Sequence, residues 1–280
     1  MKQIELLNLG KREIKKLNIE DSHIKAAVLL QHTLNQTKQQ MLINSENEVE
    51  EKYVKVFQEY IQKLINGMPL QYIINNQEFM GLNFYVDENV LIPQPDTEIL
   101  VEEAIKIIKQ KKVTNVLDLC TGSGAIAVSI AYYCKNTIVT ASDISKSALN
   151  IAQKNSKQNN TNIHFIESNL FENISNNNFD IIVSNPPYIE TDEIEKLSKE
   201  VKKEPYIALN GGKDGLDFYK SILKQASCYL NYNGYLLLEI GYNQGQAVLN
   251  LEHPNLKIIT NQPIKDLSGN DRVVIFQKEK

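Results

Sequence analysis

Asn185-Pro186-Pro187-Tyr188 is the stretch of this chain whose residue types are most specific to one kind of chemistry. Two consecutive prolines fix φ and remove two backbone donors, so the carbonyls of Asn185 and Pro186 stay out of any helix or ladder and remain free to accept. With the Asn185 side-chain oxygen beside them, the motif is a rigid acceptor pair aimed at an NH2 group, and Tyr188 supplies a flat wall. The tetrapeptide follows the apolar run 179–184, which reads as a buried strand. The acceptors therefore leave the carboxyl end of a strand, where open α/β sheets place their ligands. A planar amide or aryl amine is a poor nucleophile because its lone pair is delocalised. Accepting both of its N–H bonds at Asn185 Oδ1 and the Pro186 carbonyl orients the nitrogen and stabilises the positive charge that develops on it. No histidine or other strong base is required. The four residues alone do not separate an amide from a base amine, or either from a proline-rich turn.

A second group of residues names the other reactant. In Asp118-Leu119-Cys120-Thr121-Gly122-Ser123-Gly124, glycines stand where a strand must turn sharply into a helix and let its backbone approach a ligand. Asp143, at the tip of the following strand, is placed to hold the two hydroxyls of a ribose. The third glycine that admits a pyrophosphate is absent, because Ala125-Ile126-Ala127 continues the helix. A nucleoside without phosphates fits better, and S-adenosylmethionine is such a ligand, with Asp118 and Thr121 in reach of its amino-acid end. Further on, Asn169 has an amide for an adenine edge and Leu170 a side chain for the ring face, or both belong to an ordinary loop. With a sulfonium methyl donor, alignment of the acceptor nitrogen behind the methyl carbon is the main lever.

The elements that must carry these groups form a repeating pattern. Strands are expected at 113–119, 137–142, 163–166, 179–184, 235–240, 257–260 and 272–277, with helices at 125–133 and from about Ser147. Strands separated by helices imply a mainly parallel, doubly wound sheet, a Rossmann-like α/β fold of seven strands over 93–280. Ahead of it, Pro93 and Pro95 give an extended entry, and Asp96 or Thr97 can cap a helix from about Glu98 to Lys109. Residues 71–92 hold short β-prone pieces, including Gln71 to Ile74, and read as a hairpin connector. Residues 1–70 show helical spacing only. Asp21-Ser22 can cap a helix carrying Ile24, Ala27, Val28, Leu30 and Leu34, and a later helix uses Tyr53, Phe57, Tyr60, Ile61 and Leu64 before stopping at Asn66-Gly67. This small all-α domain either docks the substrate or only steadies the fold. Asn176-Asn177-Asn178 reads as a polar loop.

The 280 residues, 42% of them apolar, suffice for a large domain and a small one. A net charge of -4 supplies no broad cationic field for gripping a nucleic-acid backbone. The three cysteines and four histidines are scattered without metal-ligand spacing, so neither a metal site nor a disulfide framework is expected. No apolar run has the length of a membrane span, and the N-terminus lacks the apolar core of a signal peptide. A cytoplasmic monomer is the expectation. Only Arg12 and Arg272 are arginines, and Arg272 is expected to pair with a carboxylate in the fold.

Taken together these motifs resemble the HemK/PrmC class of protein-(glutamine-N5) methyltransferases. The likeness runs from the helical N-terminus through Met68-Pro69-Leu70-Gln71-Tyr72-Ile73, residues 91–98, the glycine turn and the proline tetrapeptide. It continues in Glu204-Pro205, Ala208-Leu209, residues 211–216, Glu239-Ile240-Gly241 and 266–272. The resemblance implies methylation of the glutamine in the GGQ tripeptide of class I peptide-chain release factors, supporting translation termination. It implies cofactor contacts from the glycine turn, Asp143 and Asn185, and a glutamine grip from Asn185 to Tyr188. Three positions depart from the family pattern. Cys120 replaces a glycine, Asn169 an aspartate, and Gln94 an arginine between the two prolines. Residues 204–216, between the fourth and fifth strands, could line the substrate cleft or form a structural loop. Two rivals remain at this stage, a methyltransferase of exocyclic base amines and a catalytically silent module that docks ribosomal factors.

Overall fold

A computed structural model describes residues 1–17, 19–175 and 178–279, and its chain divides into two compact units. Asn176 and Asn177 of the expected polar loop lie outside the described residues. The first unit comprises Met1–Asn75 with Ser198–Lys203, and the second comprises Asn76–Leu197 with Glu204–Lys280.

The first unit is helical: α1 (Gln3–Lys15), α2 (Ser22–Leu34), α3 (Lys38–Ile43), α4 (Glu51–Ile65) and α5 (Leu70–Ile74). Leu6, Ile14, Leu29, Leu30, Phe57, Ile61 and Leu64 form its core. The face expected for α4 is buried or half-buried as read, and Gly67 at φ 85° ends that helix. Two readings are corrected. Asp21 does not cap α2 with its side chain, because it takes a left-handed φ of 52°. The buried stripe of that helix is Ala26, Leu29, Leu30 and Thr33, and Ile24 faces solvent. Gln71 to Ile74 is helical, not extended. A short apolar run does not distinguish helix from strand by periodicity, and Pro69, with φ fixed near the helical value, opens a turn that buries Tyr72 and Ile73.

The second unit begins with an antiparallel hairpin, β1 (Gln77–Phe79) and β2 (Leu82–Phe84), turned at Met80-Gly81. Then follow α6 (Glu98–Lys111), β3 (Asn115–Leu119), α7 (Ala125–Tyr133), β4 (Ile138–Asp143), α8 (Lys146–Gln158), β5 (Ile163–Glu167) and β6 (Phe179–Ser184). After β6 come α9 (Thr191–Ile194), α10 (Tyr206–Leu209), α11 (Asp217–Tyr229), β7 (Leu230–Glu239), α12 (Gly245–Leu249), β8 (Leu256–Ile258), β9 (Ile264–Lys265) and β10 (Asp271–Lys278). The sheet runs β5-β4-β3-β6-β7-β10-β8, with β9 paired to β10 at one side. The strands from β5 to β7 are parallel, and β10 runs antiparallel to both neighbours. This is the expected α/β class, with β9 added and β7 starting earlier than read. Successive residues feed opposite cores. Ile181, Val183, Tyr235 and Leu237 pack toward α6 and α7, while Ile182, Leu236 and Leu238 pack toward α11. Both faces being covered explains why these strands read as continuous apolar runs.

From β3 the chain steps outward to β4 and β5, then returns to β6 on the other side of β3. The carboxyl ends of β3 and β6 thus flank the point where strand order reverses, and a crevice opens there. Leu119 and Ser184 are register partners, and Ser184 Oγ donates to the Leu119 carbonyl at 2.8 Å. Among the described residues no helix is long and apolar enough to cross a membrane.

Candidate active site at the sheet switch point

Beyond Leu119 the backbone turns through Cys120 (φ 59°), Gly122 (φ 55°) and Gly124 (φ 81°) into α7. The turn is pinned by Thr121 N–H to the Ser142 carbonyl (2.9 Å) and Gly124 N–H to the Thr121 carbonyl (2.8 Å). Asp118 braces it from beneath. Fully buried, its Oδ2 accepts from the Thr121 hydroxyl at 2.6 Å and the Ala127 N–H at 3.2 Å. Burial pushes its pKa up to about 7 against those hydrogen bonds, and Oδ1 has no partner among the described residues.

One cleft at this end of the sheet is lined by Cys120, Gly122, Asp143, Asn169, Leu170, Asn185 and Pro187 among the residues expected from sequence. Asp118, Thr121, Ser123 and Gly124 stand behind the turn rather than on the cleft wall. Ser123 gives its carbonyl to Asn155 Nδ2 (2.8 Å), and Gly124 packs on Ala152. Asp143 ends β4 with Oδ2 accepting from Gly122 N–H (2.8 Å) and Oδ1 from Ser145 N–H (2.9 Å); burial raises its pKa despite both. The Asn169 amide is tied to Glu172 at 2.9 Å, and Leu170 sits at a left-handed φ of 48°. Gln94 is exposed and donates to the Ile92 carbonyl at 3.0 Å.

Asn185 follows β6 and turns its Nδ2 away to donate to Thr97 Oγ1 at 3.3 Å. Thr97 does not cap α6 with its side chain, and neither does Asp96. The three residues Pro95–Thr97 form a 3-10 turn instead, which puts the Thr97 hydroxyl under Asn185. Pro186 and Pro187 are buried. Tyr188 is half-buried and off the cleft lining, and the charge of Arg272 opposes the rise that burial gives its phenol pKa. Arg272 pairs with Asp96 at 2.9 Å and Asp266 at 3.0 Å, as its expected structural role requires.

Residues 204–216 serve both purposes left open by sequence. Pro205, Ile207 and Ala208 line the cleft. Gly211 and Gly215 of the same stretch pack on the Tyr188 backbone. A Cβ at Gly211 would lie 2.6 Å from Tyr188 Cα, while Gly211 N–H donates to the Ile189 carbonyl at 2.8 Å. Glu204 accepts the Ile92 N–H at 3.0 Å and is buried enough for its pKa to rise to about 7. Two residues next to the motif stood in the sequence only within the family signatures and, for Thr97, as a helix cap, with no role at the site. They are Thr97 and the buried Glu239, whose pKa burial raises to about 7 while the neighbouring Thr97 and Asn185 and the charge of Arg272 oppose the rise.

The cleft's donor set selects among nucleosides. No lysine or arginine is among its described lining residues, and Asp143 is the only charged one. A phosphate would meet a carboxylate without a counter-charge, whereas ribose hydroxyls need that carboxylate and a cationic sulfonium is tolerated beside it. Ile144, Ala148 and Leu170 supply apolar walls for a base. S-Adenosylmethionine fits these residues.

Residues 95–204 match the methyltransferase small domain and residues 5–74 match the PrmC N-terminal domain. The chain is 40% identical to a release factor glutamine methyltransferase of Fusobacterium nucleatum subsp. nucleatum, over 98% of this chain and 78% of that protein. It is 41% identical to the protein of the same name from Clostridium acetobutylicum, over 92% and 90% of the two chains. Among solved structures, a Pyrococcus furiosus methyltransferase superposes with a TM-score of 0.52 at 22% identity, covering 80% of this chain and 98% of that one, a likeness of fold.

Proposed function

The chain belongs to the family of release factor glutamine methyltransferases, and on that premise we propose how its cleft performs the reaction. The enzyme transfers a methyl group from S-adenosyl-L-methionine to the side-chain amide nitrogen of a release-factor glutamine, that of the GGQ tripeptide in class I factors. The observation that carries the reading is Asn185. Its amide nitrogen is engaged behind the motif by Thr97, in a cleft shared with Asp143 and free of lysine and arginine among its described lining residues.

When bound, the cofactor supplies an electrophilic methyl carbon on a sulfonium. Asp143 holds the ribose, Gly122 and Cys120 line the adjoining wall with backbone and a small side chain, and Asn169 with Leu170 receives the adenine. Asp118, Thr121, Ser123 and Gly124 keep the turn in shape. Asn185 Oδ1 and the Pro186 carbonyl accept the two N–H bonds of the substrate amide, orient its nitrogen, and stabilise its growing positive charge. Pro186 and Pro187 hold those acceptors rigid. Tyr188 closes the site behind the substrate side chain. The charged nitrogen is acidic and sheds its proton to water, so no base is needed. The helical residues 1–70 dock the release factor, 71–92 lead into the catalytic domain, and 93–280 carry the chemistry. The enzyme works in the cytoplasm as a monomer without stable nucleic-acid binding, in keeping with its net charge of -4.

The test incubates the protein and labelled cofactor with a release factor carrying GGQ or GGA, beside a duplex oligonucleotide. Label confined to the GGQ factor is expected. Equal labelling of both factors, or labelling of the oligonucleotide instead, overturns the reading.

A further inference from the structure

An asparagine side chain has a donor end and an acceptor end, exchanged by a half-turn about Cβ–Cγ. Against a substrate NH2 only one orientation binds, because the other sets donor against donor. The proline pair fixes the backbone of the motif but not this rotation. Something else must choose, and the groups that do so lie behind Asn185.

Thr97, 5% exposed, accepts from Asn185 Nδ2 at 3.3 Å. With its oxygen accepting, the Thr97 hydroxyl has one proton left, and the buried Glu239 carboxyl is near enough to both Thr97 and Asn185 for each to oppose the rise that burial gives its pKa. Glu239 is 2% exposed and follows Leu238, the register partner of Ser184, so it lies at the level of Asn185 on the neighbouring strand. Once it has lost its proton, that carboxylate is an acceptor only and can face nothing but the NH2 end of the amide, so the lock is complete above the pH at which Glu239 ionises. Its Oε2 is buried and has no hydrogen-bond partner among the described residues. The position of Thr97 is fixed in turn, since the adjacent Asp96 is paired with Arg272 at 2.9 Å and that guanidinium is also held by the buried Asp266.

We propose that Thr97 and Glu239 are positioning residues which lock the Asn185 amide with its NH2 turned inward and Oδ1 turned toward the methyl-accepting nitrogen. The inference rests on the glutamine-binding role of Asn185 and adds the device that decides which end of that residue the substrate meets. Neither residue touches the reactants. Both act through Asn185.

Three variants and two readouts test it. Thr97→Val keeps the shape and removes the hydroxyl, Thr97→Ser restores the hydroxyl, and Glu239→Gln replaces an acceptor-only group with one that can present either end. With release factor as substrate, Thr97→Val should lower kcat by roughly ten- to a hundred-fold, the effect of leaving one buried donor unpaired, with the Kd for S-adenosylmethionine within about two-fold of the parent. Thr97→Ser should recover most of the loss. In the cofactor-free parent, the Asn185 side-chain NH2 signals, assigned by their disappearance in Asn185→Ala, should exchange slowly and should move in Thr97→Val and in Glu239→Gln. Unmoved signals, an unchanged kcat in Thr97→Val, or failure of Thr97→Ser to rescue would each overturn the lock. If the parent itself methylated no release factor, the substrate reading would fall, while the NMR comparison would still decide whether Thr97 and Glu239 hold the amide.

Discussion

Gly122 and Gly124 stand two residues apart in one turn, both at positive φ, and a methyl group added to each meets a different surrounding. A Cβ on Gly122 has no atom within 4 Å and would project at the cleft wall. A Cβ on Gly124 would lie 3.0 Å from Ala152 Cβ and 3.1 Å from Ala152 Cα, between α7 and α8. Gly122→Ala should therefore lose about 1 kcal/mol of stability from backbone strain alone, yet weaken cofactor affinity measurably. Gly124→Ala adds overpacking of about 1–3 kcal/mol to the same strain and should show chiefly as a lower melting temperature. Calorimetric binding and thermal melts on the two variants separate these outcomes; equal effects on both measurements would contradict the placement of the turn. Asn185→Ala belongs at this scale too. It removes an acceptor that matters to the methyl-accepting nitrogen, so turnover should fall to roughly a hundredth of the parent or less, while cofactor binding stays within about ten-fold. Comparable losses in both would make Asn185 a cofactor residue instead.

Gly10 shows what an element demands that a residue's own propensity opposes. On an exposed helix, glycine to alanine stabilises by about 1 kcal/mol. Here a Cβ on Gly10 would come within 2.6 Å of the Phe57 ring, because α1 lies directly against α4. Gly10→Ala should lose about 1–3 kcal/mol instead, read as faster amide exchange in α1 and α4, and a stabilised protein would refute that packing. The same contrast between local pattern and tertiary demand governs what sequence could reveal. The strand 179–184 and the helix 125–133 were legible to the residue, since a fully covered parallel strand is a continuous apolar run bounded by turns and a glycine turn marks the helix start. Leu70–Ile74 was not, because its few apolar residues suit either period. The early start of β7 was hidden by the polar stretch Asn231-Tyr232-Asn233-Gly234. In the site, Asn185 and Asp143 were legible because their chemistry is written in adjacent residues. The role of Thr97 and Glu239 was not, although both stand in family signatures, because each comes to Asn185 only after β6 and β7 pair and the turn Pro95–Thr97 folds beneath them.

Across the described residues of the whole molecule, burial makes four carboxyls, Asp118, Asp143, Glu204 and Glu239, bind their protons more tightly in the folded chain than an unfolded chain would. Burial lifts Asp118, Glu204 and Glu239 each to about 7, and all three are under a tenth exposed. A raised carboxyl pKa gives stability that is complete below the ordinary carboxylate range and is lost as pH climbs through the folded value. Between about pH 4.5 and 7 the folded state holds protons that the unfolded state has shed, so unfolding becomes easier as pH rises, with a slope of about 1.4 kcal/mol per pH unit for each proton retained. Asp180 acts in the opposite sense. Burial would raise its pKa, but the Asn115 and Thr114 N–H groups hold it below the usual range, so its contribution is lost only as pH falls past that range. The melting temperature of the cofactor-free protein should accordingly be highest near pH 5 and fall steadily to about pH 7.5. Glu239→Gln, which cannot titrate, should flatten that descent in part, as expected for one of several such groups. Its neighbours Arg272, Asp96, Tyr188 and Tyr219 share the surrounding field, so the comparison is made within one variant across pH rather than between variants at one pH. A melting temperature that rises between pH 5 and 7.5, or a Glu239→Gln profile parallel to that of the parent, would show that these carboxyls are ionised in the fold, and the Asn185 amide would then rest against a full negative charge throughout that range.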